Sequence, residues 1–214
     1  MVFLDRADAG RQLAAALIAY KDQDVVVLAL PRGGVPVAAE IASVLGAPLD
    51  VILVRKIGVP DQPELAMGAV VDGAEPTVIR NEDIIRLAGV AESEFEAACA
   101  RELVEIERRR QRFAAGKAPD VSGRVAIVVD DGAATGATAR AALQAMRKRG
   151  AKTLVLAVPV AAPQVMKTLR READAVVCLQ TPANFDAVGA FYRDFRQLRD
   201  EDVVAILARH SRSV

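Results

Sequence analysis

Short, nearly continuous apolar runs constrain the fold of this 214-residue chain more than any other feature. In chain order they are Val25–Leu30, Leu49–Val54, Val125–Val129, Thr153–Val158 and the weaker Ala175–Leu179. Apolar residues that do not alternate with polar ones are typical of strands buried on both faces. Helical patterns separate several of these runs, at Ala7–Tyr20, Val35–Leu45 and Thr138–Arg149. Strands that alternate with helices predict a three-layer α/β fold, in which a parallel sheet is flanked by helices.

Two regions interrupt the alternation and are predicted to be attachments to one core. An insertion over about residues 56–120 contains a predicted hairpin around Asp72-Gly73 and a predicted helix over Ser93–Phe113. The apolar face of that helix is formed by Phe95, Cys99, Leu103 and Ile106. Residues 181–198 are rich in aromatic side chains and are predicted to form a small C-terminal hood. Because no repeat or linker is visible, we expect residues 1–214 to form a single domain.

Composition argues against several classes of function. Lys+Arg and Asp+Glu each number 28, so no global charge would recruit nucleic acid or an acidic membrane. The single histidine, His210, stands near the C-terminus, which argues against a histidine triad or a histidine-rich zinc site. Cys99 and Cys178 lie far apart with no secretory segment before them, and no apolar run reaches the ~18 residues that span a membrane. We therefore expect a cytoplasmic protein whose partners are small molecules.

The segment Val125–Thr138 carries the clearest chemical signal. An apolar strand ends in Asp130 and Asp131, and a loop of small residues then leads into a helix. That loop consists of Gly132, Ala133, Ala134, Thr135, Gly136, Ala137 and Thr138. Its backbone N–H groups, its threonine hydroxyls and the helix dipole can bind a phosphate. Two aspartates at the carboxyl end of a central strand suit sugar hydroxyls, or waters on a divalent cation. A phosphate beside a vicinal diol describes ribose 5-phosphate.

Other interpretations of this segment fit less well. A Walker loop requires Gly-Lys-Ser/Thr, whereas Ala137 follows Gly136 here, and the G-x-G-x-x-G of dinucleotide sites is absent. Phosphoaspartate enzymes of the haloacid dehalogenase kind need Asp-x-Asp, whereas Asp130 and Asp131 are adjacent. A plain strand–turn–helix, in which an aspartate only caps the helix, remains the alternative without a function.

The same segment resembles the phosphoribosyl pyrophosphate (PRPP) signature of type I phosphoribosyltransferases. The resemblance implies that Asp130 and Asp131 contact the ribose hydroxyls, near waters of a bound Mg²⁺ ion. It also implies that Ala133 to Thr138 hold the 5′-phosphate, with PRPP and a small-molecule base as partners and commonly a homodimer. Hypoxanthine-guanine members carry an aspartate where this chain has Ala134. That difference argues against purine salvage of their type.

Two further segments match the family's pyrophosphate-binding regions. Arg32, Gly33 and Gly34 follow the first predicted strand, where the family has its pyrophosphate loop, although an ordinary βα turn could have this sequence. Arg55 and Lys56 follow the second predicted strand at the same sheet edge, and two cations there could neutralise the departing pyrophosphate. The alternative for this pair is surface charge.

The aromatic stretch resembles the hood of purine-type members, so Phe185, Val188 and Phe191 are expected to form the base pocket. The arginine-rich stretch Arg108–Arg112 could suggest RNA, as in regulators that share this fold. Glutamates on the same helix can pair with these arginines, which favours a solvated helix end.

Nearly the whole chain resembles a bacterial group of predicted phosphoribosyltransferases. The resemblance rests on segments such as Asp5–Gly10, Arg55–Gly58 and Pro63–Ala69 in addition to the PRPP signature. In that group the domain occurs alone or fused to hydrolase-like domains. It implies transfer of a 5-phosphoribosyl group from Mg²⁺-bound PRPP to a nitrogen acceptor, with release of pyrophosphate. The alternative is a regulatory protein that binds PRPP or a nucleotide without catalysis.

Overall fold

The structure is a computed structural model, which describes residues 2–73, 75–113 and 119–210. The helices are α1 (Arg6–Ala16), α2 (Gly34–Leu45), α3 (Glu82–Ala88), α4 (Glu92–Arg112), α5 (Ala137–Lys148), α6 (Pro163–Glu172) and α7 (Asp200–His210). The strands are β1 (Val25–Ala29), β2 (Leu49–Val51), β3 (Val54–Val59), β4 (Gln62–Val71), β5 (Thr77–Arg80), β6 (Val125–Val129), β7 (Thr153–Val160) and β8 (Ala175–Gln180). None of the described helices is long and apolar enough to cross a membrane.

Five strands form a parallel sheet in the order β2-β1-β6-β7-β8. Helices α1, α2 and α7 lie on one face of this sheet, and α5 and α6 lie on the other. Alternate residues of β1 serve the two faces, because Val25 and Val27 pack into one apolar cluster while Val26 and Leu28 pack into the other. This arrangement confirms the predicted three-layer α/β fold and explains why the strand sequences are continuously apolar.

The run predicted as one strand over Leu49–Val54 is instead divided between two sheets. Its first part is β2 in the parallel sheet, whereas Val54 begins β3, which pairs antiparallel with β4, and β4 pairs with β5. Between the two parts, the backbone N–H of Leu53 donates to the buried carboxylate of Asp72 at 2.8 Å. Because the N–H of Leu53 is bound to Asp72, it does not pair with a strand of the parallel sheet, and the chain leaves that sheet here. The predicted hairpin around Asp72-Gly73 is the turn between β4 and β5.

Arg110 differs from the solvated helix end that was predicted for the arginine-rich stretch. Its side chain is 11% exposed, and its guanidinium donates to Asp50 at 2.7 Å and to Asp72 at 2.6 Å. Helical periodicity places Arg110 on the same face as the buried Ile106 and Phe113, rather than beside the exposed Arg108. The buried ion pairs join α4 and the second sheet to the edge strand β2.

Candidate functional site

Two loops lie side by side at the carboxyl ends of β1 and β6. These strands are paired in register through Ala29 and Val129, so the loop after β1 meets the loop after β6. The approach is closest at Gly33, where a Cβ atom would overlap Oδ2 of Asp131. Only glycine permits this contact. The peptide bond between Pro31 and Arg32 is cis. The predicted pyrophosphate loop and the predicted acidic pair are thus in direct contact.

The two aspartates of the pair have different surroundings. Asp130 accepts a 2.9 Å hydrogen bond from the backbone N–H of Asp131, and Asp131 accepts a 2.8 Å hydrogen bond from Nε of Arg6. Burial, followed by the charge of Asp131, raises the pKa of Asp130 well above its ordinary value. Burial also raises the pKa of Asp131, but Arg6 opposes that shift. The pair therefore holds one carboxyl with an ion-pair partner and one whose ionisation is costly.

Arg6 is a site residue to which the sequence analysis assigned no role. Its guanidinium lies 3.8 Å from the ring centroid of Phe195, and Nη1 donates to the carbonyl of Arg196 at 3.0 Å. The Tyr192 hydroxyl, for its part, donates to the backbone carbonyl of Asp131 at 2.6 Å. Residues at both ends of the chain therefore hold Asp131. Sequence separation hid this relationship, because Arg6 and Asp131 are 125 positions apart.

The small-residue loop after the aspartates has the form of an anion site, but fewer of its backbone amides are available than the sequence predicted. The backbone N–H of Ala133 donates to the carbonyl of Val160 at 2.9 Å, so the fold already uses this donor. In the part of the chain that the structure describes, no protein acceptor is found for the amides of Ala134, Thr135, Gly136 and Thr138. Gly136 has φ +69°, a left-handed conformation that favours glycine, and α5 starts directly after it. These amides and the N-terminus of α5 can bind an anion.

The predicted cations Arg55 and Lys56 are separated by the pleat of β3, since successive strand residues point to opposite faces. Nε of Arg55 donates to Glu102 at 2.7 Å, on the side of β3 that packs against α4. Lys56 instead lines a cleft of about 740 Å³ together with Ala137 and Thr138. The structure thus brings Lys56, but not Arg55, to this cleft at the first turn of α5, where Nζ of Lys56 donates to the carbonyl and to the carboxylate of Glu64, each at 3.2 Å.

Arg32 is placed beside the acidic pair, as its position after β1 predicted. It lines a cleft of about 460 Å³ together with Arg6, Gly33 and Asp131. Its side chain is 44% exposed, and Nη1 lies 3.7 Å from a carboxylate oxygen of Asp200 at the start of α7. A cationic side chain can therefore reach a ligand that lies between the two loops.

The predicted hood residues divide into two groups. Val188 packs against Gly132, where an added Cβ atom would lie 2.6 Å from its Cγ1, so it reaches the site. Phe185 and Phe191 pack on each other, with ring centroids 5.5 Å apart. The aromatic rings tied to Asp131 are those of Tyr192, directly, and Phe195, through Arg6. The N-terminal segment completes the hood, because the backbone N–H of Phe3 donates to the carbonyl of Phe191.

The acidic pair fits a Mg²⁺ ion that is held mainly by waters and substrate oxygens. Among the described residues no group of three or more His, Cys, Asp or Glu side chains could hold a metal ion. Mg²⁺ bound through one or two carboxylates and substrate phosphates, with several waters retained, requires no such cage.

A parallel sheet whose strands end in an acidic pair, a glycine-containing βα loop and a helix start with available amides matches the pattern expected of a phosphoribosyltransferase, and comparison with known families agrees. The model of the phosphoribosyl transferase domain matches residues 4–196, so the chain belongs to this family. A Mycobacterium tuberculosis protein named "Putative phosphoribosyl transferase" is 50% identical over 212 residues, which are 99% of this chain and 47% of that protein. The chain thus spans about half the length of the curated relatives it matches.

Among solved structures, the protein TT1426 from Thermus thermophilus has 44% sequence identity and a TM-score of 0.86, covering 98% of this chain and 99% of that one. A uracil phosphoribosyltransferase of Lactobacillus gasseri is 48% identical over 52 residues, which are 24% of this chain. The first similarity extends over the whole fold, whereas the second is confined to one segment.

Proposed function

We propose that this chain transfers a 5-phosphoribosyl group from Mg²⁺-bound PRPP to a nitrogen acceptor, with release of pyrophosphate. The observation that carries the proposal is the contact between the two loops at Gly33 and Asp131. It brings the acidic pair, the loop with the available amides and Arg32 to one sheet edge, which supports their proposed roles toward the ribose, the 5′-phosphate and the pyrophosphate. Each group has the chemistry that its part of PRPP requires.

In this proposal Asp130 and Asp131 accept hydrogen bonds from the 2′ and 3′ hydroxyls of the ribose. The amides of Ala134, Thr135, Gly136 and Thr138 bind the 5′-phosphate, and the Thr135 and Thr138 hydroxyls add donors. A sugar held at both ends can present C1 to an incoming nitrogen in line with the leaving group. Most of the rate enhancement would arise from this positioning.

At C1, the bond to the pyrophosphate oxygen breaks and its electron pair leaves with pyrophosphate, while the lone pair of the acceptor nitrogen forms the new bond. Arg32 and the Gly33 amide stabilise the negative charge of the leaving group, whereas the predicted Gly34 amide already donates to the carbonyl of Leu30 at 3.0 Å. Lys56 neutralises the leaving group further when the hairpin of β3 and β4 closes. Bound Mg²⁺ supplies additional positive charge to the phosphates. Ala134 offers no carboxylate, so the acceptor proton passes to solvent.

The acceptor we propose is a nucleobase or a related small base, held between the acidic pair and the hood. Val188 and Tyr192 contact the loop of the acidic pair, which supports the proposal that the hood forms a wall of the base pocket. Phe185 and Phe191 remain candidates for its aromatic lining. A homodimer in the cytoplasm belongs to the same proposal, because the family resemblance and the composition imply it.

The test is pyrophosphate release from Mg²⁺-PRPP, measured over a panel of purine, pyrimidine and pyridine bases. We expect release with at least one base, and loss of release when Asp130 and Asp131 are both changed to asparagine. Arg86→Gln is the matched control, because Arg86 is exposed on α3 and pairs only locally with Asp83 among the described contacts. PRPP binding without release for any base would favour the regulatory alternative over catalysis.

A further inference from the structure

A second group of arginines lies beside the Pro31–Gly34 loop, outside the proposed phosphoribosyl site. Arg108, Arg109 and Arg112 come from the end of α4, and Arg32 reaches them from the loop. With Pro31, Glu105 and Asp200 they line a cleft of about 350 Å³, which we call the arginine cleft. Its lining is thus formed almost entirely by charged side chains.

The arginine cleft has more positive than negative charge, with four guanidinium groups against two carboxylates. Glu105 accepts hydrogen bonds from Arg108 at 2.9 and 3.0 Å and from Arg109 at 3.3 Å. Those arginines lower the pKa of Glu105 to about 2, so its carboxylate stays ionised and the charge count holds at neutral pH.

Asp200 is shared in the same way as Glu105. It accepts from Arg112 at 2.8 Å and lies 3.7 Å from Arg32. Each guanidinium has five N–H donors, so two carboxylates can satisfy only a fraction of the donors in the cleft. The four arginine side chains are 44–62% exposed, so a ligand from solvent can reach the N–H donors that the two carboxylates do not satisfy.

Arg32 connects this cleft to the proposed phosphoribosyl site, because it also lines the cleft that contains Gly33 and Asp131. An anion in the arginine cleft competes with Asp200 for Arg32. Occupation of the cleft would therefore change how readily Arg32 contacts a pyrophosphate group on its other side.

We propose that the arginine cleft is a second anion site, which binds a phosphate chain, either as inorganic pyrophosphate or as part of a nucleotide. A chain of phosphates offers several charges and many acceptor oxygens, which match forked guanidinium donors that point into one space. Binding here does not depend on phosphoribosyl transfer, and the cleft modulates the leaving-group side of the proposed reaction through Arg32.

The experiment is a titration with pyrophosphate, and in parallel with ATP, followed by the ¹H–¹⁵N signals of the arginine Nε–Hε groups. We expect the Arg109 and Arg112 signals to shift saturably, whereas the Arg86 signal stays constant at matched ionic strength. The ligand with the tighter saturation identifies the source of the phosphate chain. Signals of Arg109 and Arg112 that move no more than that of Arg86 with either ligand would overturn the proposal.

Two variants extend the test. The Arg109→Gln/Arg112→Gln double variant should bind the phosphate chain at least about tenfold more weakly, because charge-assisted donors are lost. Its binding is followed through the signals of the remaining arginines of the cleft. Asp200→Asn should tighten binding about two- to fivefold, since a competing carboxylate disappears, and a folding defect cannot produce a gain. Unchanged affinity in both variants would contradict the assignment. PRPP is not used in these titrations, so failure at the acidic pair would leave this result standing.

Discussion

Nε of Arg6 lies 2.8 Å from Oδ2 of Asp131, and this ion pair joins the start of the chain to the acidic pair of the candidate site. Both side chains are largely buried, with 11% and 14% exposure. Arg6 is in turn held by the ring of Phe195 and the carbonyl of Arg196. The hood therefore fixes the position of a carboxylate that is proposed to bind ribose.

Arg6→Gln should make Mg²⁺-PRPP binding more sensitive to acid. Arg6 opposes the rise that burial causes in the pKa of Asp131, so without Arg6 this pKa moves further up. Asp131 then becomes protonated at a higher pH, and affinity falls more at pH 6 than at pH 8. Calorimetry across this pH range measures the effect.

Arg6→Lys should restore part of the wild-type pH profile, because it keeps the charge. Arg11→Gln is the control, since Arg11 lies on the same helix but is 55% exposed and does not contact the acidic pair. A parallel loss of affinity at every pH in Arg6→Gln would instead indicate that Arg6 only supports the hood.

Asp130→Asn should weaken Mg²⁺-PRPP binding and raise the melting temperature at neutral pH. Burial and the charge of Asp131 raise the pKa of Asp130 in the folded chain, so ionised Asp130 destabilises the fold. The free energy of unfolding therefore falls as the pH rises from the ordinary pKa of an aspartate through the raised pKa of Asp130. The gain in the variant should therefore be present at neutral pH and disappear in acid.

Asp131→Asn is the comparison for this prediction. It also removes a proposed ribose ligand. Burial raises the pKa of Asp131 too, so its ionised form also costs stability, but Asp131→Asn leaves the largely buried Arg6 without its carboxylate partner. That loss outweighs the gain, so the melting temperature of this variant should not rise. Thermal unfolding at several pH values distinguishes the two variants. Equal changes in melting temperature would contradict the different surroundings of the two aspartates.

Gly33→Ala should disrupt the contact between the two loops. The new methyl group would overlap the carboxylate of Asp131, and such overpacking costs about 1–3 kcal/mol. We expect a lower melting temperature together with weaker Mg²⁺-PRPP binding. Gly89→Ala is the control. A Cβ atom at Gly89 would meet nothing within 4 Å, but the φ of +66° at this position disfavours alanine. Gly89→Ala should therefore lose stability but keep PRPP affinity.

The β3–β4 hairpin, which covers most of Gly58–Gly73, is predicted to act as a lid that excludes water during transfer. Its tip is exposed at Asp61 to Glu64, and it carries Lys56 near the phosphate loop. Amide hydrogen exchange at the tip should be faster than in β6 and should slow when Mg²⁺-PRPP binds. Protection equal to that of β6 without ligand, or no response to ligand, would refute the lid.

The strands of the main sheet and the anion-binding loop could be predicted because their signals are local. Val125–Val129 are continuously apolar, and Asp130 to Thr138 are contiguous, so pattern and motif are visible in one stretch of sequence. The division of Leu49–Val54 between two sheets was missed because it depends on the contact between Leu53 and the distant Asp72. Local hydrophobicity contains no information about that contact.

The site details that escaped prediction are also long-range. The amide of Ala133 lies within the motif, yet it donates to the carbonyl of Val160 and is therefore not available to a phosphate. Arg55 and Lys56 are adjacent in sequence, but the pleat of β3 sends them to opposite faces. Alternation on a strand could have separated these two residues had the strand been predicted to continue through them.

The most direct test of the central claim is calorimetric titration of Mg²⁺-PRPP into the wild type and into the Asp130→Asn/Asp131→Asn variant. We predict saturable binding to the wild type and affinity at least about tenfold lower in the variant, since charge-assisted hydrogen bonds are worth roughly 1.5–3 kcal/mol each. The variant should melt within about 4 °C of the wild type, because the gain at Asp130 offsets the loss at Asp131. Equal affinity in both proteins, or no binding to the wild type at millimolar PRPP, would contradict the assignment of this site.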